Sequence, residues 1–125
     1  MLTSCTWPSP NAAPSSGTPN DELQQFLDAI AQTKAAGGTI ETGGARIDRA
    51  GNFVLPAIVT GLKNSDEVVQ HETFAPILYV MKYSEMDQAI AMQNAVPQGL
   101  SSSIFTTNLK RAEAFLSPAG SDCGI

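Results

Sequence analysis

The stretch PILYVMKY, residues 76–83, decides the fold class of this chain. It is nearly continuous in apolar residues, which is typical of a strand covered on both faces and therefore of parallel pairing. Directly after it, Ser84-Glu85-Met86-Asp87 combines a helix cap with an acidic first turn. The pattern predicts a helix that ends before Pro97 and has one apolar face, formed by Met86, Ala89, Ile90 and Met92.

A second strand and a second helix are predicted next along the chain. Residues 102–106 are β-prone, and Thr107 or Asn108 is expected to cap a last helix that ends at Pro118 and Gly120. The apolar face of that helix is formed by Leu109, Ala112, Phe115 and Leu116. The order strand, helix, strand, helix is that of right-handed βαβ crossovers. The predicted fold class is α/β, with βαβ units on a largely parallel sheet.

The first half of the chain predicts a longer helix and two strands. Thr18 can cap the helix and Pro19 suits its first position, whereas Gly37-Gly38 favours its termination. Its buried stripe is predicted to comprise Leu23, Phe26, Leu27, Ile30 and Ala31. Residues 39–42 and 52–60 then form β-prone runs. Pro56 predicts a position at the edge of the sheet for the second run, because proline cannot donate a ladder hydrogen bond.

Length and composition favour one folded domain preceded by a leader. The chain has 125 residues and 13.1 kDa, which suits a single modest core. Residues 1–19 contain four Ser, three Thr and four Pro and no charged side chain. Such a segment buries too little apolar area to offset the entropy of ordering, so residues 1–19 are predicted to be a flexible, disordered leader and residues 20–125 the domain.

Charge, apolar runs and cysteine content limit the partners and the cellular compartment that can be expected. Seven Lys and Arg against twelve Asp and Glu give a net charge of −5, the wrong sign for neutralising phosphates, so nucleic acid is not expected as a partner. The longest apolar runs have only the length of a strand, so neither a membrane span nor a signal peptide is predicted. Two cysteines without CxxC spacing favour a reducing compartment, and we expect a cytoplasmic protein.

No short motif indicates chemistry complete within this chain. Residues 38–45 have the glycine spacing of a phosphate loop but lack its Lys and its Ser or Thr, so a turn is the better interpretation. His71 is the single histidine, which excludes a site built from several histidines, and a solvated turn residue is favoured over a general base. Cys123 follows Asp122, which would raise its thiol pKa, and a structural thiol is favoured over a nucleophile. No metal site is predicted.

One segment resembles a known enzyme family. His71-Glu72-Thr73-Phe74-Ala75-Pro76-Ile77-Leu78 is similar to the Glu-x-Phe-Gly-Pro segment of the aldehyde dehydrogenase superfamily, with Ala75 in place of the commoner glycine. The order of the other landmarks also resembles that family: residues 37–44, residues 51–56 and residues 99–106. The alanine and the closing residues 120–125 are most similar to the antiquitin branch. The resemblance covers roughly residues 20–125.

The resemblance implies a cofactor site and no catalytic residue within this chain. In relatives the glutamate matching Glu72 accepts hydrogen bonds from the nicotinamide ribose hydroxyls, and the phenylalanine matching Phe74 packs near the nicotinamide ring. These two residues are the candidate NAD-binding residues. The matched part is a fragment of the catalytic domain, without the family's Rossmann domain, catalytic cysteine or general-base glutamate. The resemblance therefore implies an NAD-dependent semialdehyde dehydrogenase fragment that is inactive alone and binds NAD weakly or not at all.

A second hypothesis is a non-catalytic interaction module. A part of a sheet leaves strand edges open for pairing with another chain. The partner would be a full-length aldehyde dehydrogenase or a second copy of this chain.

Overall fold

The computed structural model describes residues 19–98 and 101–122, arranged in two compact units that comprise residues 19–81 and residues 82–122. The first unit contains helix α1, strands β1 and β2, the short helix α2 and strand β3, and the second contains helices α3 and α4. Their bounds are α1 Pro19–Ala35, β1 Thr39–Thr42, β2 Ala57–Thr60, α2 Glu67–Gln70, β3 Ile77–Tyr79, α3 Met86–Asn94 and α4 Leu109–Leu116. The chain thus combines helices with a small sheet, in agreement with the predicted α/β class.

The sheet of the first unit has three strands in the order β1-β2-β3. β2 and β3 pair in parallel, with Ala57 opposite Ile77, as the apolar run at residues 76–83 predicts. β1 pairs with β2 in the antiparallel direction, so the sheet is mixed. The prediction that Pro56 puts its strand at an edge is wrong, because β2 is the central strand. Pro56 lies just before β2, where the sheet does not need its missing N–H group.

Helix α1 ends as its glycines predict. Gly37 has a positive φ of 86°, and the N–H groups of Gly37 and Gly38 donate to the carbonyls of Lys34 and Thr33. These bonds satisfy carbonyls that the helix leaves free at its end. The buried stripe differs in part from the prediction. Phe26 and Ile30 are buried as expected, but Ala29 and Thr33 are buried too, whereas Leu23 and Leu27 are half-buried and Ala31 is exposed.

The core of the first unit lies between α1 and one face of the sheet. Alternate residues of each strand face it, since successive side chains in a strand point to opposite faces. In β2, Ala57 and Val59 are buried and Ile58 is exposed. The buried cluster comprises Phe26, Ala29, Ile30, Ala57, Val59, Leu62, Val68, Ala75, Ile77 and Tyr79.

In the second unit the two predicted helices are confirmed and the predicted strand is not. α3 buries Ala89 and Ile90, and α4 buries Phe115. Asn108 caps α4, its side chain accepting a hydrogen bond from the Arg111 N–H at 3.3 Å. No strand is assigned to residues 102–106. A strand needs a run of paired residues, and within residues 101–106 pairing is confined to a single β-bridge at Ser101.

Side-chain hydrogen bonds hold the last described residues of the second unit in place. The Asn94 side chain donates to the Gly120 carbonyl at 2.8 Å and accepts from the Asp122 N–H at 3.1 Å. The hydroxyls of Ser102 and Ser121 are 2.8 Å apart. These bonds fix residues 120–122 against the end of α3.

Some predictions lie wholly or partly outside the described residues. The predicted leader does so except for Pro19, which is the first residue of α1, and so does Cys123. Among residues 19–98 and 101–122, no helix combines the length and the apolar character needed to cross a membrane.

Candidate functional site

The candidate site is the loop of residues 71–76, which connects α2 to β3. Both of its ends are fixed to the core of the first unit. Val68 on α2 is 4% exposed and Ala75 near the start of β3 is 5% exposed. The His71 N–H donates to the Glu67 carbonyl at 2.9 Å and so closes α2. The loop is therefore held by packing on both sides of its central residues.

Backbone hydrogen bonds fold the second half of the loop into two tight turns. The Ala75 N–H donates to the Thr73 carbonyl at 2.7 Å, and the Ile77 N–H donates to the Ala75 carbonyl at 2.8 Å. Each bond joins residues two apart, which is the pattern of a γ-turn. The Pro76 carbonyl accepts from the Ala57 N–H at 2.9 Å, which ties the second turn to the central strand.

The two residues predicted to contact the cofactor both lie on this loop. Glu72 is half-buried, and Phe74 is 54% exposed although the next residue, Ala75, is buried. Phe74 is the middle residue of the first γ-turn. The structure thus presents a carboxylate and an aromatic ring from one short, internally bonded loop.

His71 lies at the start of the loop and is exposed. The part of the chain that the structure describes contains no group of three or more His, Cys, Asp or Glu side chains that could hold a metal ion.

The glycine-rich residues 38–45 form β1 and the turn that leaves it. Gly43 and Gly44 have positive φ values of 69° and 76°, which glycine adopts without strain. A Cβ atom added at Gly43 would lie 1.9 Å from the Pro56 carbonyl oxygen. The glycine therefore serves the close approach of two backbone segments, in agreement with the interpretation as a turn.

Two contributors to the site, α2 and Ala75, carry little signal in the sequence. α2 is a single turn of four residues, too short for a periodic pattern, and Asp66 before Glu67 was its one local signal. Ala75 stands out in the sequence only as a replacement of the commoner glycine within the motif. No local pattern shows that its side chain is buried, because that burial arises in a core cluster to which residues of α1 and β2, distant in sequence, also belong.

Comparison with known proteins agrees with the sequence resemblance. The profile of the aldehyde dehydrogenase family matches residues 16–124. A Caenorhabditis elegans homologue of aldehyde dehydrogenase family 7 member A1 is 58% identical over 101 residues, 81% of this chain. The α-aminoadipic semialdehyde dehydrogenase of Bos taurus is 52% identical over 103 residues, 82% of this chain. In both cases the match covers 19% of the relative, so this chain spans about a fifth of their length.

Solved structures that are similar to this chain belong to the same family. An aldehyde dehydrogenase from Burkholderia cenocepacia matches 83% of this chain and 22% of its own, with a TM-score of 0.74 and 32% identity. A betaine aldehyde dehydrogenase from Staphylococcus aureus, solved in complex with NAD⁺, matches 74% of this chain and 20% of its own, with a TM-score of 0.70 and 29% identity. The chain therefore belongs to the aldehyde dehydrogenase family, and its curated relatives are of the antiquitin type.

Proposed function

We propose that this chain supplies the nicotinamide end of the cofactor site in an NAD-dependent semialdehyde dehydrogenase of the antiquitin type. The observation that carries the proposal is the loop of residues 71–76. It holds Glu72 and Phe74 two residues apart, with the aromatic ring exposed. A relative of solved structure that carries NAD⁺ and the α-aminoadipic semialdehyde dehydrogenases among the curated relatives support this choice of cofactor and substrate class.

The two side chains fit the nicotinamide riboside part of the cofactor. A carboxylate has two acceptor oxygens and can accept from two vicinal hydroxyl groups at once. An exposed aromatic face can pack against a planar ring and limit its orientation. When bound, NAD⁺ would serve as the acceptor of hydride from the substrate carbon. The role of this chain is then to bind and orient the ribose and the ring.

By itself the 125-residue chain is not expected to oxidise aldehydes. The family's reaction needs a thiol nucleophile, and the proposal assigns none to this chain. Two contacts also provide too little energy to offset the loss of translational freedom on binding. We therefore expect NAD⁺ to bind no tighter than about 1 mM, which corresponds to about 4 kcal/mol. The cysteine pattern supports a reducing compartment, the cytoplasm.

A hybrid enzyme tests the proposal. Residues 20–122 of this chain replace the matching segment of the Bos taurus relative, and semialdehyde oxidation is measured while NAD⁺ is varied. We expect Glu72→Gln in the hybrid to raise KM for NAD⁺ about tenfold or more, because a hydrogen bond to a charged group is worth about 1.5–3 kcal/mol. KM for the aldehyde should change little.

The matched control is Glu67→Gln, the same isosteric change at an exposed glutamate on α2. It should leave both KM values at those of the parent hybrid. If Glu72→Gln behaves like Glu67→Gln, Glu72 has no role in cofactor binding and the proposal is wrong. For the isolated chain, aldehyde turnover would contradict the expected inactivity. Micromolar NAD⁺ binding that Glu72→Ala abolishes would contradict the expected weak binding.

A non-catalytic interaction role is the second candidate, and exposed apolar side chains favour it. Phe105 is 94% exposed, Leu109 is 71% exposed and Leu116 is 57% exposed. Large apolar groups exposed to this degree are typical of surfaces that another protein covers. Co-expression of this chain with a full-length antiquitin-type dehydrogenase, followed by purification through the dehydrogenase, tests this role. A monomeric chain that fails to co-purify would reject it.

A further inference from the structure

Ala75 differs from every other residue of the loop in its burial. Among residues 71–76, all of which the structure describes, Ala75 alone is buried, at 5% exposure. Its side chain belongs to the core cluster of the first unit, together with Ile77 and Tyr79 of β3. The residue before it, Phe74, is 54% exposed. The chain therefore passes from solvent to core within one residue.

Both γ-turns of the loop share Ala75. Its N–H closes the first turn on Thr73, and its carbonyl closes the second turn on Ile77. The middle residue of the second turn is Pro76, whose ring holds φ at about −65°, near the value of about −75° that an inverse γ-turn needs. The second turn is thus fixed by proline. The first turn has Phe74 at its middle and no such covalent restriction.

We propose that Ala75 is a positioning residue for the nicotinamide end of the cofactor site. Burial of its methyl group holds the first turn closed, and the closed turn sets where Glu72 and Phe74 stand. The ligand named here rests on the proposed function, whereas the action of Ala75 on the turn rests on burial and hydrogen bonds alone. A glycine at this position would lose the core contact and would widen the range of accessible backbone conformations.

Amide hydrogen exchange in the full 125-residue chain, followed by NMR, tests the action on the turn. The amides to follow are those of residues 75 and 77, with Val80 as the internal reference because its N–H donates to the Val59 carbonyl of the sheet. In Ala75→Gly, exchange at residues 75 and 77 should rise about two- to fivefold relative to Val80.

Ala50→Gly is the matched control, since it makes the same change at an exposed loop residue of the same unit. It should leave the exchange ratios unchanged. Equal acceleration at residues 75, 77 and 80 in Ala75→Gly would mean a general loss of stability and would overturn the inference. So would parent-like ratios in that variant.

Titration with NAD⁺ at millimolar concentrations separates this inference from the proposed function. In the parent chain, NAD⁺ should shift the amide resonances of Glu72 and Phe74. Ala75→Gly should weaken that binding about two- to fivefold. Equal binding by the parent and by Ala75→Gly overturns the positioning role. A parent chain without any NAD⁺-dependent shift binds too weakly for this titration. KM for NAD⁺ of the hybrid enzyme with and without Ala75→Gly then decides the positioning role, and equal KM values overturn it, whereas Glu72→Gln in the same hybrid decides the proposed function.

Discussion

At the scale of single residues, two buried hydroxyl groups stand out in the core of the first unit. Thr33 on α1 is 0% exposed and Tyr79 on β3 is 9% exposed. Neither Thr33 Oγ1 nor Tyr79 Oη has a hydrogen-bond partner in the described part of the chain. A buried hydroxyl without a partner costs about 1–3 kcal/mol of stability. Removal of either hydroxyl group is therefore expected to raise the stability of the core.

Thr33→Val should stabilise the chain. Valine has the same shape and a similar helix propensity, and it removes the unpaired hydroxyl, so we expect the free energy of unfolding to rise by about 1 kcal/mol. Urea unfolding followed by circular dichroism measures the change. Thr42→Val at an exposed position is the control and should alter stability by less than about 0.5 kcal/mol. A loss of stability in Thr33→Val would show that the hydroxyl is bonded after all.

Because of Tyr79, we expect the free energy of unfolding to fall at alkaline pH. Burial raises the pKa of its phenol above the ordinary value of 10.0, and the nearby Thr33 hydroxyl offsets part of that rise, although the two groups lack the geometry of a full hydrogen bond. Because the folded pKa exceeds the unfolded one, the stabilising contribution is complete below pH 10 and is lost as pH rises through the folded pKa. The urea midpoint should therefore fall less between about pH 8 and pH 11 in Tyr79→Phe than in the parent. An equal fall of the urea midpoint in the parent and in Tyr79→Phe would contradict this expectation.

At the scale of secondary-structure elements, the turn after β1 determines how the antiparallel pair begins. Gly43 has a φ of 69° and lies against the Pro56 carbonyl, whereas Gly37 has a φ of 86° and open space around it. Gly37→Ala should cost only the strain of a positive φ, about 1–2 kcal/mol. Gly43→Ala should cost about 1–3 kcal/mol more, because the Pro56 backbone must move. Urea unfolding measures the loss of stability in both variants. Equal losses would show that the Pro56 backbone moves at little cost.

At the scale of the whole molecule, exposed apolar side chains should make the isolated chain associate. Among the described residues of the second unit, the large apolar side chains that are exposed are those of Phe105, Leu109 and Leu116. We expect light scattering to show oligomers or aggregates that grow with concentration. The double variant Leu109→Gln and Leu116→Gln should reduce this association with little change in unfolding temperature. A monodisperse monomer with a cooperative transition above about 60 °C would contradict the expectation.

Much of the fold and the family could be predicted from sequence because the signals are local. The glycines after α1, the cap Asn108 of α4 and the apolar run at residues 76–83 each act through neighbours in the chain, and the structure confirms all three. The motif that contains Glu72 and Phe74 is likewise continuous in sequence. It was therefore visible without knowledge of any contact.

The remaining features depend on residues that are distant in sequence, and packing between separate elements determines them. The antiparallel pairing of β1 and the central place of β2 depend on which strand lies on either side, which no run of residues specifies. The lack of a strand at residues 102–106 has the same origin, since β propensity makes a strand only where a partner supplies hydrogen bonds. The burial of Ala75 and Thr33 is also set by packing between separate elements. Local chemistry thus determined which elements form, and long-range packing determined how they pair and which side chains they bury.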